Sequence, residues 1–267
     1  MNTSKERLDK LLIYRGLVDT RNKAAALILA GRVKANGELV SKAGTFVDID
    51  CDIEIVRQDS WVSRGAHKLL KALDIFGMNP VGLVCIDIGA STGGFTHVLL
   101  ERGAKKVYAV DVGYGQLAWS LRQDERVVVR EKTNARYLRR EDFDEDADLI
   151  TVDVSFISLK LILPVLVDLL SKSGDIIALV KPQFEAGRER VGKGGVVADP
   201  KVHEEVLRDL ILWIERNVPF NASGLTHSPI KGPKGNIEFL LHLTPRKIQQ
   251  SPLNFNEAVL AAHDELN

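Results

Sequence analysis

One stretch, Asp87-Ile-Gly-Ala-Ser-Thr-Gly-Gly-Phe95, follows an apolar run and opens an amphipathic one. Glycines at such a strand-to-helix turn let a ligand lie close against the backbone. The spacing is G-x-x-x-G-G, not the G-x-G-x-x-G of dinucleotide sites. A tight turn with no ligand is the competing reading. Asp111 shifts the balance, because it closes the next apolar run (Val-Tyr-Ala-Val-Asp), 22 residues after Gly89. A carboxylate at that place accepts hydrogen bonds from ribose hydroxyls in nucleoside-binding folds. No arginine-lined phosphate cradle accompanies it, so the ligand reads as a nucleoside without pyrophosphate. S-adenosylmethionine fits, with adenosine and ribose near Asp111 and Val112. Its amino-acid end would lie over Gly89, Ala90, Ser91, Gly93, Gly94 and Phe95, with Asp87 at the strand tip.

Two more polar residues end apolar runs: Asp153 (Leu-Ile-Thr-Val-Asp-Val-Ser-Phe) and Lys181 (Ile-Ile-Ala-Leu-Val-Lys-Pro-Gln-Phe-Glu). In open α/β sheets, ligands collect beyond the carboxyl ends of strands. Each residue alone is equally readable as a surface charge. A lysine partly desolvated there, beside another cation, has a lowered pKa and can act as a base. Exocyclic amine methylation uses an Asn/Asp-Pro-Pro-aromatic strand end, and the string here is Asp153-Val-Ser-Phe156. Pyrimidine C5 methylation needs a nucleophilic cysteine, but Cys85 reads as core and Cys51 lies far off in the chain. A hydroxyl or a ring nitrogen remains as acceptor. Phe156 reads as a neighbour of the cofactor or target base, or as an ordinary core aromatic.

These residues need a scaffold. Strands are expected at 83–88, 106–112, 127–130, 149–154, 175–180, 222–226 and 237–243. Helices are expected at 65–76, 94–102, 116–121, 158–170, 200–217 and 256–266. Apolar strands alternating with helices make an α/β, mostly parallel sheet covered on both faces. The last two strands lack a helix between them and should form an edge hairpin.

The first 58 residues read differently, as a small α+β module. Ser4–Tyr14 is expected as a helix, Thr20 caps a second, and Asn36-Gly37 suits a type I′ hairpin turn. Residues 1–42 carry nine Lys/Arg against four acids in a chain of zero net charge, a candidate phosphate-binding face. A solvated helix face explains the same charges equally well. Residues 59–64 read as a linker, with Trp61 pinning two domains or covering a seam, and 65–267 as the second domain. The loop 183–197, rich in glycine with Arg188, Arg190 and Lys193, reads as a flexible cover over phosphates or a plain surface loop. The polar start MNTSKERLDK is no signal peptide, and no apolar run approaches the ~18 residues of a spanning helix. Two cysteines give neither a disulfide scaffold nor a metal pair, so no metal is expected and the compartment reads as cytoplasm.

The strings are long enough to carry a resemblance. Arg7-Leu-Asp-Lys-Leu-Leu, Thr20-Arg-Asn-Lys-Ala, Ile28-x-x-Gly-x-Val33, Asn36-Gly and Val40-x-Lys42 resemble the S4 RNA-binding domain. Ser63-Arg-Gly-Ala-His-Lys-Leu, the Asp87 string, Asp111-Val-Gly-Tyr-Gly-Gln-Leu-Ala-Trp, Ser155-Phe-Ile-Ser-Leu and Val180-Lys-Pro-Gln-Phe-Glu resemble FtsJ-type ribose 2′-O-methyltransferases. In this order the two resemble the TlyA family of haemolysin-like rRNA methyltransferases, over almost the whole chain. The resemblance implies an S4-like domain followed by a Rossmann-like class I methyltransferase domain with a seven-stranded, mostly parallel sheet. It also implies a catalytic tetrad, matched by Lys68, Asp153, Lys181 and Glu238. The implied reaction moves a methyl group from S-adenosylmethionine to a cytidine 2′-hydroxyl of 16S or 23S rRNA, on free rRNA or a ribosomal subunit.

RNA phosphates would meet Arg7, Lys10, Arg15, Arg21, Lys23, Lys34, Lys42 and Arg64. A monomer is the default, with no membrane partner. Three other readings compete: a non-catalytic RNA-binding protein, a cytolysin, and a pseudouridine synthase. The tetrad opposes the first, and the missing secretion signal and amphipathic cationic helix oppose the second. The synthase's Gly-Arg-Leu-Asp string is absent.

Overall fold

The computed structural model describes residues 4–56, 61–246 and 253–266. The chain divides into two compact units, Met1–Ser60 and Trp61–Asn267. Residues 57–60, with the first part of the expected linker, lie outside the described residues.

The first unit runs β1 (Lys5–Arg7), α1 (Leu8–Tyr14), α2 (Arg21–Leu29), β2 (Val33–Ala35), β3 (Glu38–Leu39), β4 (Phe46–Asp48) and β5 (Ile53–Ile55). Leu8, Leu12, Ala24, Ile28 and Val33 form its core, on the helical spacing that the sequence shows. The Thr20 hydroxyl accepts from the Lys23 N–H at 3.3 Å, capping α2. Asn36 and Gly37 both take positive φ, 51° and 82°, as a type I′ turn requires. The expected helix over Ser4–Tyr14 is corrected: its first turn is strand β1, paired antiparallel with β4. Pairing with a distant strand overrides the local helical pattern there.

The second unit runs α3 (Ala66–Phe76), β6 (Val84–Ile88), α4 (Gly94–Glu101), β7 (Lys106–Val110), α5 (Trp119–Arg122), β8 (Val127–Arg130), β9 (Ala147–Val152), α6 (Leu163–Leu166), β10 (Leu170–Val180), α7 (Pro182–Glu185), α8 (Pro200–Asn217), β11 (Asn221–His227), β12 (Phe239–Thr244) and α9 (Phe255–Leu266). The sheet order is β11-β12-β10-β9-β6-β7-β8. β10, β9, β6, β7 and β8 are parallel, while β12 runs antiparallel to β10 and β11, giving the expected edge hairpin.

Strand side chains alternate between the sheet's two faces. Ile86, Ile88, Ile176, Ala178 and Val180 join one core, against α6, α8 and α9. Cys85, Ile177 and Leu179 join the other, against Leu69 and Leu73 of α3 and Val98 and Leu99 of α4. Burying each such leucine contributes about 1.5–3 kcal/mol, which is what holds α3 and α4 against the sheet. Trp61 packs edge-on against His97 of α4, with ring centroids 4.9 Å apart.

Other boundaries move. The expected helix over 158–170 is replaced by a 3-10 turn, Leu159–Leu161, and the single turn α6. Pro164 has no N–H to give to the turn before it, so a continuous helix fails there. The expected helix over 116–121 shrinks to α5, because the Gln116 N–H goes to Glu131 instead. Glu238, expected on the last strand, sits one residue before β12.

Candidate active site

The parallel strands end along one edge of the sheet, and their exits carry the polar residues. β6 ends in the glycine turn, β7 in Asp111, β9 in Asp153 and β10 in Lys181. β12 runs the other way, with Phe239 opposite Val180, so its start lies beside the end of β10. That reversal brings Glu238 to the same edge.

Two ion pairs result, the first buried on both sides and the second with a buried lysine and a partly exposed carboxylate. Lys68 Nζ lies 2.6 Å from Glu238 Oε2, and Lys181 Nζ lies 2.6 Å from Asp153 Oδ1. Lys181 Nζ also donates to Ser155 Oγ at 2.9 Å. Lys68, Lys181 and Glu238 are only 7%, 8% and 1% exposed. Removing one member of such a pair leaves the other charged and dry, at a cost of about 3–5 kcal/mol. Lys68→Ala is therefore expected to lower unfolding stability by about that much. Adding Glu238→Gln should recover most of it, and denaturant titration of the single and double variants checks this.

Three cavities meet at these pairs. One of about 400 Å³ is lined by Gly89, Ser91, Asp111, Val112, Asp153 and Phe156, among others. A second of about 260 Å³ shares Gly89, Ser91 and Asp153 and reaches Arg64, Lys68 and Phe95. A third of about 370 Å³ holds Lys181, Glu238, Ser155 and Phe156, with Phe184 and Gln183. Asp153 borders the first two, and Ser155 and Phe156 border the first and third.

The glycine turn is dictated by close packing. A Cβ on Gly89 would stand 2.3 Å from the Asp153 carbonyl oxygen, and one on Gly94 would stand 2.2 Å from Ser63 Oγ. Gly93 takes φ +96°, and its Cβ would meet Leu121 at 2.3 Å. Asp111 ties this turn to the next one, accepting from the Ser91 N–H at 2.8 Å and the Gly113 N–H at 2.6 Å. Each carboxylate oxygen keeps a further acceptor position, which suits a vicinal diol in the 400 Å³ cavity. Val112 is exposed beside it and offers an apolar face to a base.

Asp87 does not reach these cavities. It is fully buried and accepts from the Thr96 N–H (2.9 Å), the Thr96 hydroxyl (2.7 Å) and the Thr151 hydroxyl (3.0 Å). The expected ligand contact is thus corrected to a brace that caps α4 from the strand beneath. Burial pushes its carboxyl up to about 6, against the pull of those hydrogen bonds. A folded pKa above the unfolded value makes the fold bind more protons between pH 4 and 6, so stability falls as pH rises through that window. Asp87→Asn cannot ionise. Relative to the wild type, it should gain on the order of 3 kcal/mol between pH 4 and 7, read from denaturant titrations at both pH values.

The expected phosphate contacts fall into two groups. Arg7 and Arg21 both grip the buried Asp9, at 2.8 and 3.0 Å, and hold its carboxyl well below the usual range. Arg15 donates to the backbone carbonyls of Cys51 (2.7 Å) and Ile49. These three arginines have structural work. Lys10, Lys23 and Lys34 make surface pairs with Glu6, Asp19 and Glu54, which are worth little and exchange readily. Lys42 and Arg64 are exposed.

Sequence reasoning missed Ser155 as a site residue; its hydroxyl accepts from Lys181. Ser155 stands two residues beyond Asp153, which a strand-exit reading could have flagged. The loop over 183–197 is tied down: Asn236 accepts from the Val197 N–H and donates to the Gly195 carbonyl, and His203 bonds the Val197 carbonyl.

A family model described as FtsJ-like methyltransferase matches residues 61–244, and one for the S4 domain matches residues 6–53. The chain is 54% identical to YqxC of Bacillus subtilis, provisionally named an rRNA methyltransferase, over 91% of this chain and 87% of that one. It is 48% identical to the 16S/23S rRNA (cytidine-2′-O)-methyltransferase TlyA of Mycobacterium tuberculosis, over 89% of each. A solved structure from Streptococcus thermophilus, provisionally named a hemolysin, superposes with a TM-score of 0.73 at 45% identity, covering 98% of this chain and 97% of that one. With both domains matched and relatives this similar along nearly its whole length, the chain belongs to the TlyA family, an S4 domain followed by an FtsJ-like, S-adenosylmethionine-dependent methyltransferase domain.

Proposed function

We propose that this protein methylates the ribose 2′-hydroxyl of a cytidine in 16S or 23S rRNA. The observation that carries this reading is the Lys181–Asp153 pair standing where the cavities meet. The first two cavities share Gly89, Ser91 and Asp153, so one ligand can run from the Asp111 carboxylate to Arg64 and Lys68. That length and polarity suit S-adenosylmethionine, with its ribose on Asp111 and its base against Val112. The third cavity opens on Lys181 from the other side and suits the acceptor nucleotide. Phe156, 84% exposed and with φ +64°, stands between the two and offers a stacking face to the target base.

S-adenosylmethionine, when bound, supplies an electrophilic methyl group on a sulfonium. A ribose hydroxyl is a poor nucleophile at neutral pH. Lys181 Nζ is placed to hold or take its proton. Asp153 and Ser155 fix that ammonium in one direction. Lys68 and Glu238 line the same junction and keep a second fixed charge pair there. The larger gain comes from alignment of the reacting groups in a half-closed site. No metal takes part in this reading.

The S4 domain supplies phosphate contacts through Lys10, Lys23, Lys34 and Lys42, with Arg7, Arg15 and Arg21 holding its surface in shape. Arg64 adds one from the methyltransferase unit. Phosphate contacts position the enzyme without reading sequence. Affinity for rRNA should therefore fall linearly on a log–log plot against salt, with a slope of about −0.7 per phosphate contacted on single strands. A flat salt dependence in filter binding would remove the electrostatic part of this reading. A ribosomal substrate supports a cytoplasmic location, and a monomer is the proposed working state. Among the described residues no helix is long and apolar enough to cross a membrane.

The deciding experiment mixes the protein and methyl-labelled S-adenosylmethionine with separated small and large ribosomal subunits lacking the modification. Label on alkali-resistant dinucleotides containing cytidine is the expected result. Label on a base, or none on either subunit, would overturn the assignment.

A further inference from the structure

The β9 and β10 exits are joined a second time, four residues beyond Lys181. Glu185, half-buried on α7, accepts from the Ser158 hydroxyl at 2.6 Å and from the Leu159 N–H at 2.7 Å. Between the two ties, Phe184 packs against Phe156 with ring centroids 5.2 Å apart. The exits thus form a ladder of three rungs: Lys181 to Asp153 and Ser155, Phe184 to Phe156, and Glu185 to Ser158 and Leu159. Phe156 stands in the middle in the left-handed region at φ +64°, a strained place for an aromatic residue. Its ring is mostly in solvent, so its own burial does not hold it there. Ser155 and Asp153 leave the sheet on the same short segment, between Val152 and the 3-10 turn that begins at Leu159.

We infer that Glu185 is a positioning residue for methyl transfer: its grip on Ser158 and Leu159 fixes the segment that presents Asp153, Ser155 and Phe156 to Lys181 and to the acceptor nucleotide. This rests on the methyltransferase reading above. Glu185 touches neither ligand cavity. It acts through the far end of the segment, as a stop that keeps the Lys181 rung in register. Loss of that stop leaves the lysine with its carboxylate but lets the segment shift. A misplacement of about 1 Å between reacting groups costs on the order of a hundredfold in rate.

The test compares Glu185→Ala, Glu185→Gln and Ser158→Ala in the full-length chain. Each is also read by amide hydrogen exchange over residues 153–159, which senses the order of that segment without a substitution in it. Glutamine still accepts from the Leu159 N–H through its oxygen and can donate to the Ser158 hydroxyl. Glu185→Ala should lower kcat for rRNA methylation between tenfold and a hundredfold, leave the Kd for S-adenosylmethionine within about twofold, and speed amide exchange over 153–159. Glu185→Gln should restore kcat to within about threefold and restore the slow exchange too. Ser158→Ala keeps the backbone tie and should show a smaller loss of the same kind, which serves if Glu185→Ala does not fold. Wild-type kcat and exchange in Glu185→Ala, or in Ser158→Ala where that variant stands in, overturn the inference. So does an equal loss in Glu185→Gln. Absence of rRNA methylation by the unsubstituted protein overturns the methyltransferase reading instead, and is seen in its own arm of the experiment.

Discussion

Lys181→Ala is expected to lower kcat for rRNA methylation by about a thousandfold, the middle of the range for removing a positioned acid–base group. The reason is local. Lys181 Nζ is bonded to both Asp153 and Ser155, and it faces the cavity proposed for the acceptor. S-adenosylmethionine affinity should change only a fewfold, because the Gly89 turn and the Asp111 carboxylate are held by other contacts. Lys181→Arg separates two roles for the lysine. Guanidinium keeps the charge but does not give up a proton in a protein. A proton-taking role leaves this variant nearly as slow as alanine, while a purely electrostatic role restores most of the rate. The expected result is the slow one. Single-turnover methylation of isolated ribosomal subunits, with cofactor binding measured by calorimetry, reads both quantities. A Lys181→Ala enzyme with wild-type kcat would remove Lys181 from the chemistry.

The sheet was legible because its strands are short apolar runs between turn residues, and each exit is marked by a polar residue directly after it. Asp111, Asp153 and Lys181 could be placed at strand ends for that reason. Lys68 and Glu238 could be named only through the family resemblance, not from local pattern. Lys68 and Glu238 are separated by most of the chain, and only the antiparallel direction of β12 brings Glu238 back to the working edge. Local pattern does not determine that direction.

Asp87 shows the opposite limit. A carboxylate at a strand tip looks the same in sequence whether it faces a ligand or a helix. Here it lies beneath α4, and Thr96 and Thr151 take up its oxygens. The threonines were the available signal, since a buried carboxylate needs donors nearby. Arg7, Arg15 and Arg21 show a related limit: their structural partners are Asp9 and two backbone carbonyls, and carbonyls leave no trace in sequence. Counting charge found the basic end of the chain but could not separate arginines holding the fold from lysines facing solvent.

Gly89→Ala is the second large effect, and it should act on both halves of the site at once. The added methyl would sit 2.3 Å from the Asp153 carbonyl oxygen and 2.8 Å from its carbon. Both are backbone atoms at the exit of a central strand, held by the Asp153 N–H to the Ile88 carbonyl, so neither gives way as the end of a long side chain would. The residue also sits at φ +84°, where an alanine is strained before any clash is counted. Relief requires the β6 turn and the β9 exit to move apart. That motion carries Ser91 away from Asp111 and Asp153 away from Lys181. S-adenosylmethionine binding is expected to weaken by on the order of a hundredfold, with kcat falling as much again. Gly77→Ala is the control, because Gly77 has φ +63° at the end of α3 with open space around the would-be methyl. It should cost about 1 kcal/mol of stability and leave binding and rate unchanged. If the two variants lose cofactor affinity equally, backbone strain alone explains the effect, and the close approach of the β6 and β9 exits does not shape the cofactor site.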